Sequence, residues 1–211
     1  MWCGTSAAAY HARSLRSAGT SHSIMANVMS SLQLAPIDPD NAPEAIADTL
    51  ADVRARYGFL PNLYRYFAHA PGLLKGYLAL SDLFAQGSFS AMERNVVMLA
   101  VSRENACHYC VAVHSSVADM QRDDTAVTDA IRNGTPIGDP RLEALRRLAQ
   151  ALVRGRGLAD EEVATFLEVG YEPHQVLEVV LGIGLKTLSN TTNHLVATPL
   201  DPVFAKRAWP E

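Results

Sequence analysis

The segment Cys107-His108-Tyr109-Cys110-Val111-Ala112-Val113-His114 holds three side chains whose types and spacing suit thiol chemistry. Cys107 and Cys110 stand at i and i+3, and Cys110 and His114 at i and i+4. On one helix all three therefore fall along a single stripe. Dithiol redox work needs a thiolate to attack, a second thiol one turn away to resolve the product, and an imidazole to move the proton. A free thiol with a pKa of about 8.5 is mostly protonated at neutral pH, and both a helix N-terminus and a histidinium would lower that value.

Two other readings share this pattern. A Cys-x-x-Cys pair also describes two inert buried cysteines or half of a zinc site, and His114 one turn further on tilts the balance towards redox chemistry. Cys107, Cys110 and His114, with His108, can be counted as zinc ligands. However, positions i, i+3 and i+7 of one rigid helix converge poorly on a tetrahedral ion, and there is no second Cys-x-x-Cys. His69, His174 and His194 are scattered and read as surface or satisfied structural histidines. No metal and no cofactor is expected.

The elements that must position these residues read as helices. Pro43 follows Asp40-Asn41-Ala42 as a helix start, and Ile46, Leu50 and Val53 recur at helical spacing up to Gly58. Pro61 and Pro71 open two further helical stretches, the second ending at Gly87. Ser90-Ala91-Met92-Glu93 has the capping-box pattern, which gives Glu93 a structural task in place of a catalytic one. A buried helix follows through Val101. Asn105-Ala106 breaks the pattern, so a new helix is expected to begin at or just before Cys107 and to run to about Met120, with the cysteines near its N-terminus.

Asp139-Pro140 starts a helix through Leu152, Asp160 another ending near Gly170, and Glu172-Pro173 a long apolar one through Leu188. No segment alternates as a strand, so the fold class is all-α. Asn190-Thr191-Thr192-Asn193-His194 is placed after a long apolar helix, as the cysteine motif is, which hints at two similar helical halves.

Bulk properties narrow the function. The 211 residues are 48% hydrophobic and 19% charged, enough for a sizeable core. A net charge of −4 without a basic cluster argues against nucleic acid. The longest apolar stretch, Val176 to Leu185, falls well short of the roughly 20 residues that cross a bilayer, so no membrane partner is expected. Three cysteines cannot build a disulfide framework, and a cytoplasmic setting fits them. Residues 1–24, rich in Ser and Ala with Arg13 and Arg16, read as a disordered or artefactual leader with a weak likeness to a transit peptide. Cys3 lies within it and is given no role. Residues 25–211 read as one helical domain.

Ser102-Arg103-Glu104-Asn105-Ala106-Cys107-His108-Tyr109-Cys110 followed by His114 resembles the AhpD-like branch of the carboxymuconolactone decarboxylase family. The likeness extends to His69-Ala70-Pro71, to Lys186-Thr187-Leu188-Ser189-Asn190 and to Thr198-Pro199-Leu200-Asp201. The resemblance implies an AhpD-like helical bundle, assembled as a homo-oligomer (a trimer or higher), and a thiol-dependent peroxide-reducing activity of the peroxiredoxin type. It also implies Cys110 as the attacking thiol, Cys107 as the resolving one and His114 in the proton path. The partners would be a peroxide substrate and an external thiol electron donor.

The family's other activity, decarboxylation of a lactone-type acid, and a non-catalytic redox-sensing or metal-binding module are the alternatives. Two positions depart from the family pattern. Asn95 stands where the peroxidases carry a relay glutamate, twelve residues before the first cysteine, and Tyr109 stands where they carry a histidine. His108 is no substitute, being about 100° away around a helix.

Overall fold

The computed structural model describes residues 32–210, so the leader with Cys3, and Met25, lie outside the described residues. Among the described residues there are nine α-helices and no strand, as the periodicity predicts. They are α1 (Glu44–Tyr57), α2 (Asn62–Phe67), α3 (Pro71–Ala85), α4 (Ala91–Glu104), α5 (His108–Gln121), α6 (Thr125–Asn133), α7 (Pro140–Arg154), α8 (Asp160–Glu168) and α9 (Pro173–Val196). A 3₁₀ turn at Pro39–Asn41 precedes them and another at Pro202–Arg207 follows.

The helix boundaries follow local chemistry. Pro43 caps α1, which ends on Gly58 in the left-handed region at φ 77°. Ser90 Oγ accepts from the Glu93 N–H at 3.2 Å while Glu93 Oε2 accepts from the Ser90 N–H at 2.8 Å, forming the expected capping box of α4. Glu93 Oε1 also lies 3.5 Å from Arg141 Nε. Asp139 caps α7 by accepting from the Arg141 and Leu142 N–H groups.

Two elements differ from the sequence reading. The helix Thr125–Asn133 was not anticipated, although Asp124 caps it through the Ala126 N–H and Gly134 closes it at φ 72°. The last helix runs past Leu188 to Val196, so Asn190 to His194 lie inside it and do not repeat the break before Cys107. The polar run stays helical because Asn190 and Asn193 are buried against the rest of the fold, and tertiary contact overrides their weak helix preference.

The interior falls into two clusters. The larger surrounds α4, whose Val96, Leu99 and Val101 meet Leu145 and Leu148 of α7, Ile131 of α6, Phe166 of α8 and Val179 of α9. Each such side chain, fully buried, stabilises the fold by about 1.5–3 kcal/mol. The smaller is built by Ile46 and Leu50 of α1, Phe67 of α2 and Leu74 of α3, and it includes Cys107, Tyr109 and Cys110. The dithiol is thus set into an apolar wall, away from bulk water.

Candidate active site

The cysteines are placed by a tight junction between α4 and α5. Ala106, in the left-handed region at φ 51°, donates its N–H to Arg103 O, and Cys107 N–H reaches back to Ser102 O at 2.9 Å. This 6→1 and 5→2 pair is a Schellman ending. The residue that completes it, Cys107, is also the N-cap of α5. Cys110 then sits in the first turn of α5, where the unpaired N–H groups and helix dipole favour negative charge. The helix begins one residue beyond Cys107, whereas the sequence reading put its start at or just before Cys107.

Cys107 and Cys110 are both free thiols, 1% and 2% exposed. Asn193 of α9 donates its Nδ2 to Cys110 Sγ at 3.2 Å and lies 3.7 Å from Cys107 Sγ, and Ser189 Oγ is 3.9 Å from Cys110 Sγ. Burial opposes a charge on Cys110, but the hydrogen bond from Cys107 and the charge of Lys186 outweigh it and hold the Cys110 thiol well below its usual range. The hydrogen bond to Cys110, together with burial, pushes the Cys107 thiol up. The two sulfurs are thus pushed in opposite directions, Cys110 towards the thiolate and Cys107 towards the thiol.

His114, on the next turn of α5, does not supply the positive charge expected of a histidinium. Burial, reinforced by the charge of Lys186, holds His114 well below the ordinary histidine range. Its ring is neutral, and Nε2 accepts from Lys186 Nζ at 2.9 Å. The cation beside the thiolate is Lys186 of α9, 1% exposed, which the sequence reading did not select.

A cavity of about 310 Å³ opens on Cys110, His114 and Lys186, with Phe59, Tyr77, Val113 and Phe204 among its largely apolar walls. A second hollow, about 230 Å³, is shared by His114 and Asn95. Asn95 thus borders the same imidazole, but as a buried amide it can neither give nor take a proton as a carboxylate would. Tyr109 is turned to a structural use: its hydroxyl donates to Asp201 Oδ2 at 2.7 Å. Burial and the Asp201 carboxylate both push its ionisation up. His108 packs on Trp209 at 4.9 Å between ring centroids, with Nδ1 3.2 Å from Trp209 O. His69 Nε2 lies 2.7 Å from Ala35 O, and His174 lies beside Glu178. Among the described residues no group of three or more His, Cys, Asp and Glu side chains is arranged to hold a metal ion, and no helix is long and apolar enough to cross a membrane.

Comparison with known proteins agrees with this architecture. Residues 71–151, a segment that contains α3, the capping box and the cysteine motif, match the model of the carboxymuconolactone decarboxylase family. The all-α fold is AhpD-like. The alkylhydroperoxidase AhpD core of a peroxidase-related protein from Ralstonia eutropha JMP134 superposes with a TM-score of 0.70 at 20% identity, covering 81% of this chain and 93% of that one. A peroxidase-related protein from Silicibacter sp. TM1040 gives 0.69 at 17% identity, covering 83% and 93%. The debrominase Bmp8, in complex with 2,3,4-tribromopyrrole, gives 0.71 at 16% identity, covering 83% and 95%. No curated protein sequence matches the chain.

Proposed function

We propose that this protein is a thiol-dependent peroxide-reducing oxidoreductase, alkylhydroperoxidase-like and of the peroxiredoxin type, in which Cys110 attacks and Cys107 resolves. The observation that carries this reading is the unequal setting of two unbridged neighbouring thiols: Cys110 Sγ takes the Asn193 Nδ2 donor at 3.2 Å and lines a largely apolar cavity with His114 and Lys186, whereas Cys107, 3.7 Å from the same amide, is not part of that wall. An inert buried pair would have no need of that asymmetry.

Cys110 sulfur attacks the distal oxygen of a hydroperoxide; an S–O bond forms, the O–O bond breaks, and the displaced oxygen leaves as an alcohol once protonated. Cys110, oxidised by two electrons, becomes a sulfenic acid. Cys107 then attacks that sulfur, the S–O bond breaks, water departs with the Cys107 proton, and a disulfide remains. Two equivalents of an external thiol reduce it. The net reaction turns one hydroperoxide and two thiols into an alcohol, water and a disulfide. A cytoplasmic pool of reduced thiol goes with this reading. So does homo-oligomerisation, for which Leu177 and Val180, 70% and 50% exposed on α9, offer apolar surface.

The test is consumption of tert-butyl hydroperoxide with dithiothreitol as donor. The wild type is expected to turn over and Cys110→Ser to be inactive. Decarboxylation of a lactone-type acid that survives loss of both cysteines would instead assign the family's other activity.

A further inference from the structure

Resting on the peroxide-reducing reading, we infer that Lys186 is both the counter-charge of the Cys110 thiolate and the acid that protonates the oxygen displaced from the peroxide. It would thus fill the place left open by Asn95.

The argument begins with burial. Lys186 is 1% exposed, and a buried ammonium is tolerated only when paired and hydrogen-bonded. Among the described residues it forms no ion pair with a carboxylate. Nζ is 2.9 Å from His114 Nε2, and a neutral imidazole accepts a hydrogen bond but cancels no charge. The titratable groups on which its charge acts are Cys107, Cys110 and His114 of α5, and the phenols of Tyr57, Tyr64, Tyr77 and Tyr109 line the same cavity. Burial pushes the phenols of Tyr77 and Tyr109 up, and Cys107 is likewise held protonated. Cys110, which the charge of Lys186 favours as the thiolate, is the anion that remains. Both residues border the same cavity, so a peroxide bound there meets the thiolate and the ammonium together.

This pairing couples proton transfer to bond formation. In the resting site a sulfur anion faces an ammonium. When Cys110 sulfur takes the peroxide's distal oxygen, its negative charge passes to the departing alkoxide, and the ammonium is left buried without a partner. Transfer of one Nζ proton to the alkoxide gives the alcohol and a neutral amine, removing both buried charges in one step. His114, accepting from Nζ, holds the amine in place and is a positioning residue. After the disulfide has been reduced by the external thiol, the Cys110 proton returns to the amine and the ion pair is restored. No proton is gained or lost over the cycle.

Two variants separate the two roles. Lys186→Met removes the charge, so the ultraviolet thiolate absorbance of Cys110, followed against pH in Cys107→Ser protein, should move up by at least about one pH unit, towards or beyond the ordinary thiol value of about 8.5. Lys186→Arg keeps a charge but cannot release a proton under these conditions. It should keep the low thiolate titration yet slow the reduction of tert-butyl hydroperoxide by about 10²–10⁴-fold. Peracetic acid, whose leaving carboxylate needs no proton, should be reduced at nearly the wild-type rate.

An unchanged Cys110 titration in Lys186→Met overturns the counter-charge. Equal rates, or equal losses, on the two peroxides in Lys186→Arg overturn the proton donor, and this arm decides the matter alone if the Met variant does not fold. If the wild type consumes neither peroxide while the titration still moves in Lys186→Met, the peroxidase reading and the proton-transfer role fall together and the ion pair stands.

Discussion

Asn193 reaches 13 residues along α9 beyond Val180 to set its Nδ2 3.2 Å from Cys110 Sγ. The reactive sulfur is therefore held by two helices: α5 carries it and α9 solvates it. A hydrogen bond to a charged group contributes about 1.5–3 kcal/mol, equivalent to about one to two pH units on the thiol. Asn193→Leu should raise the Cys110 thiolate titration by about that amount. Ultraviolet titration of the reduced protein checks it, and an unshifted curve would mean that the amide only fills space.

The two sulfurs should fail differently. Cys110→Ser removes the nucleophile and should abolish peroxide reduction, whereas Cys107→Ser should allow one attack per molecule and leave Cys110 as a sulfenic acid. Dimedone labelling read by mass spectrometry distinguishes the two. Labelled Cys107 in the Cys110→Ser protein would reverse the assignment.

His114 gives a prediction in pH. Burial and Lys186 depress its folded value below that of the unfolded chain, so the folded state favours the neutral ring. The stability this contributes is whole above the ordinary value of about 6.5 and is lost as pH falls from there towards the folded value. Replacing His114 by Asn, which does not titrate, should flatten the decline in urea midpoint between about pH 7 and pH 5. A decline as steep as in the wild type would place the titration elsewhere.

Tyr109 and Asp201 tie the C-terminal segment to the cysteine helix. Asp201, 5% exposed, accepts from the Tyr109 hydroxyl at 2.7 Å and from the Asn62 N–H at 3.0 Å. Tyr109→Phe leaves that carboxylate one donor short and should cost about 1.5–3 kcal/mol, roughly 3–12 °C in Tm for a chain of this size. Thermal unfolding tests it, and an unaltered Tm would show that solvent replaces the phenol.

Much of this could be read from the residues. Prolines, the Ser90–Glu93 box and the Asn105-Ala106 break mark helix ends through local hydrogen bonding, and such signals survive folding because they depend on neighbours in sequence. The pairing of Cys107 with Cys110 was legible for the same reason. Lys186, Ser189 and Asn193 were not, because they approach Cys110 from a helix about 80 residues further on, and nothing local in sequence records that contact. The charge state of His114 was misread likewise: spacing on α5 suggested a histidinium, whereas burial of the ring, reinforced by the distant lysine, makes that charge unfavourable. The extension of α9 to Val196 was hidden by Asn190 and Asn193, whose intrinsic preference opposes the helix their burial secures.

The central claim is that Cys107 and Cys110 are a working redox couple, and thiol counting with peptide mass spectrometry after one equivalent of tert-butyl hydroperoxide tests it most directly. The account predicts that two thiols disappear per chain and that Cys107 and Cys110 are recovered as one disulfide, reopened by dithiothreitol. Both thiols still free after exposure, in protein that remains folded, would contradict it.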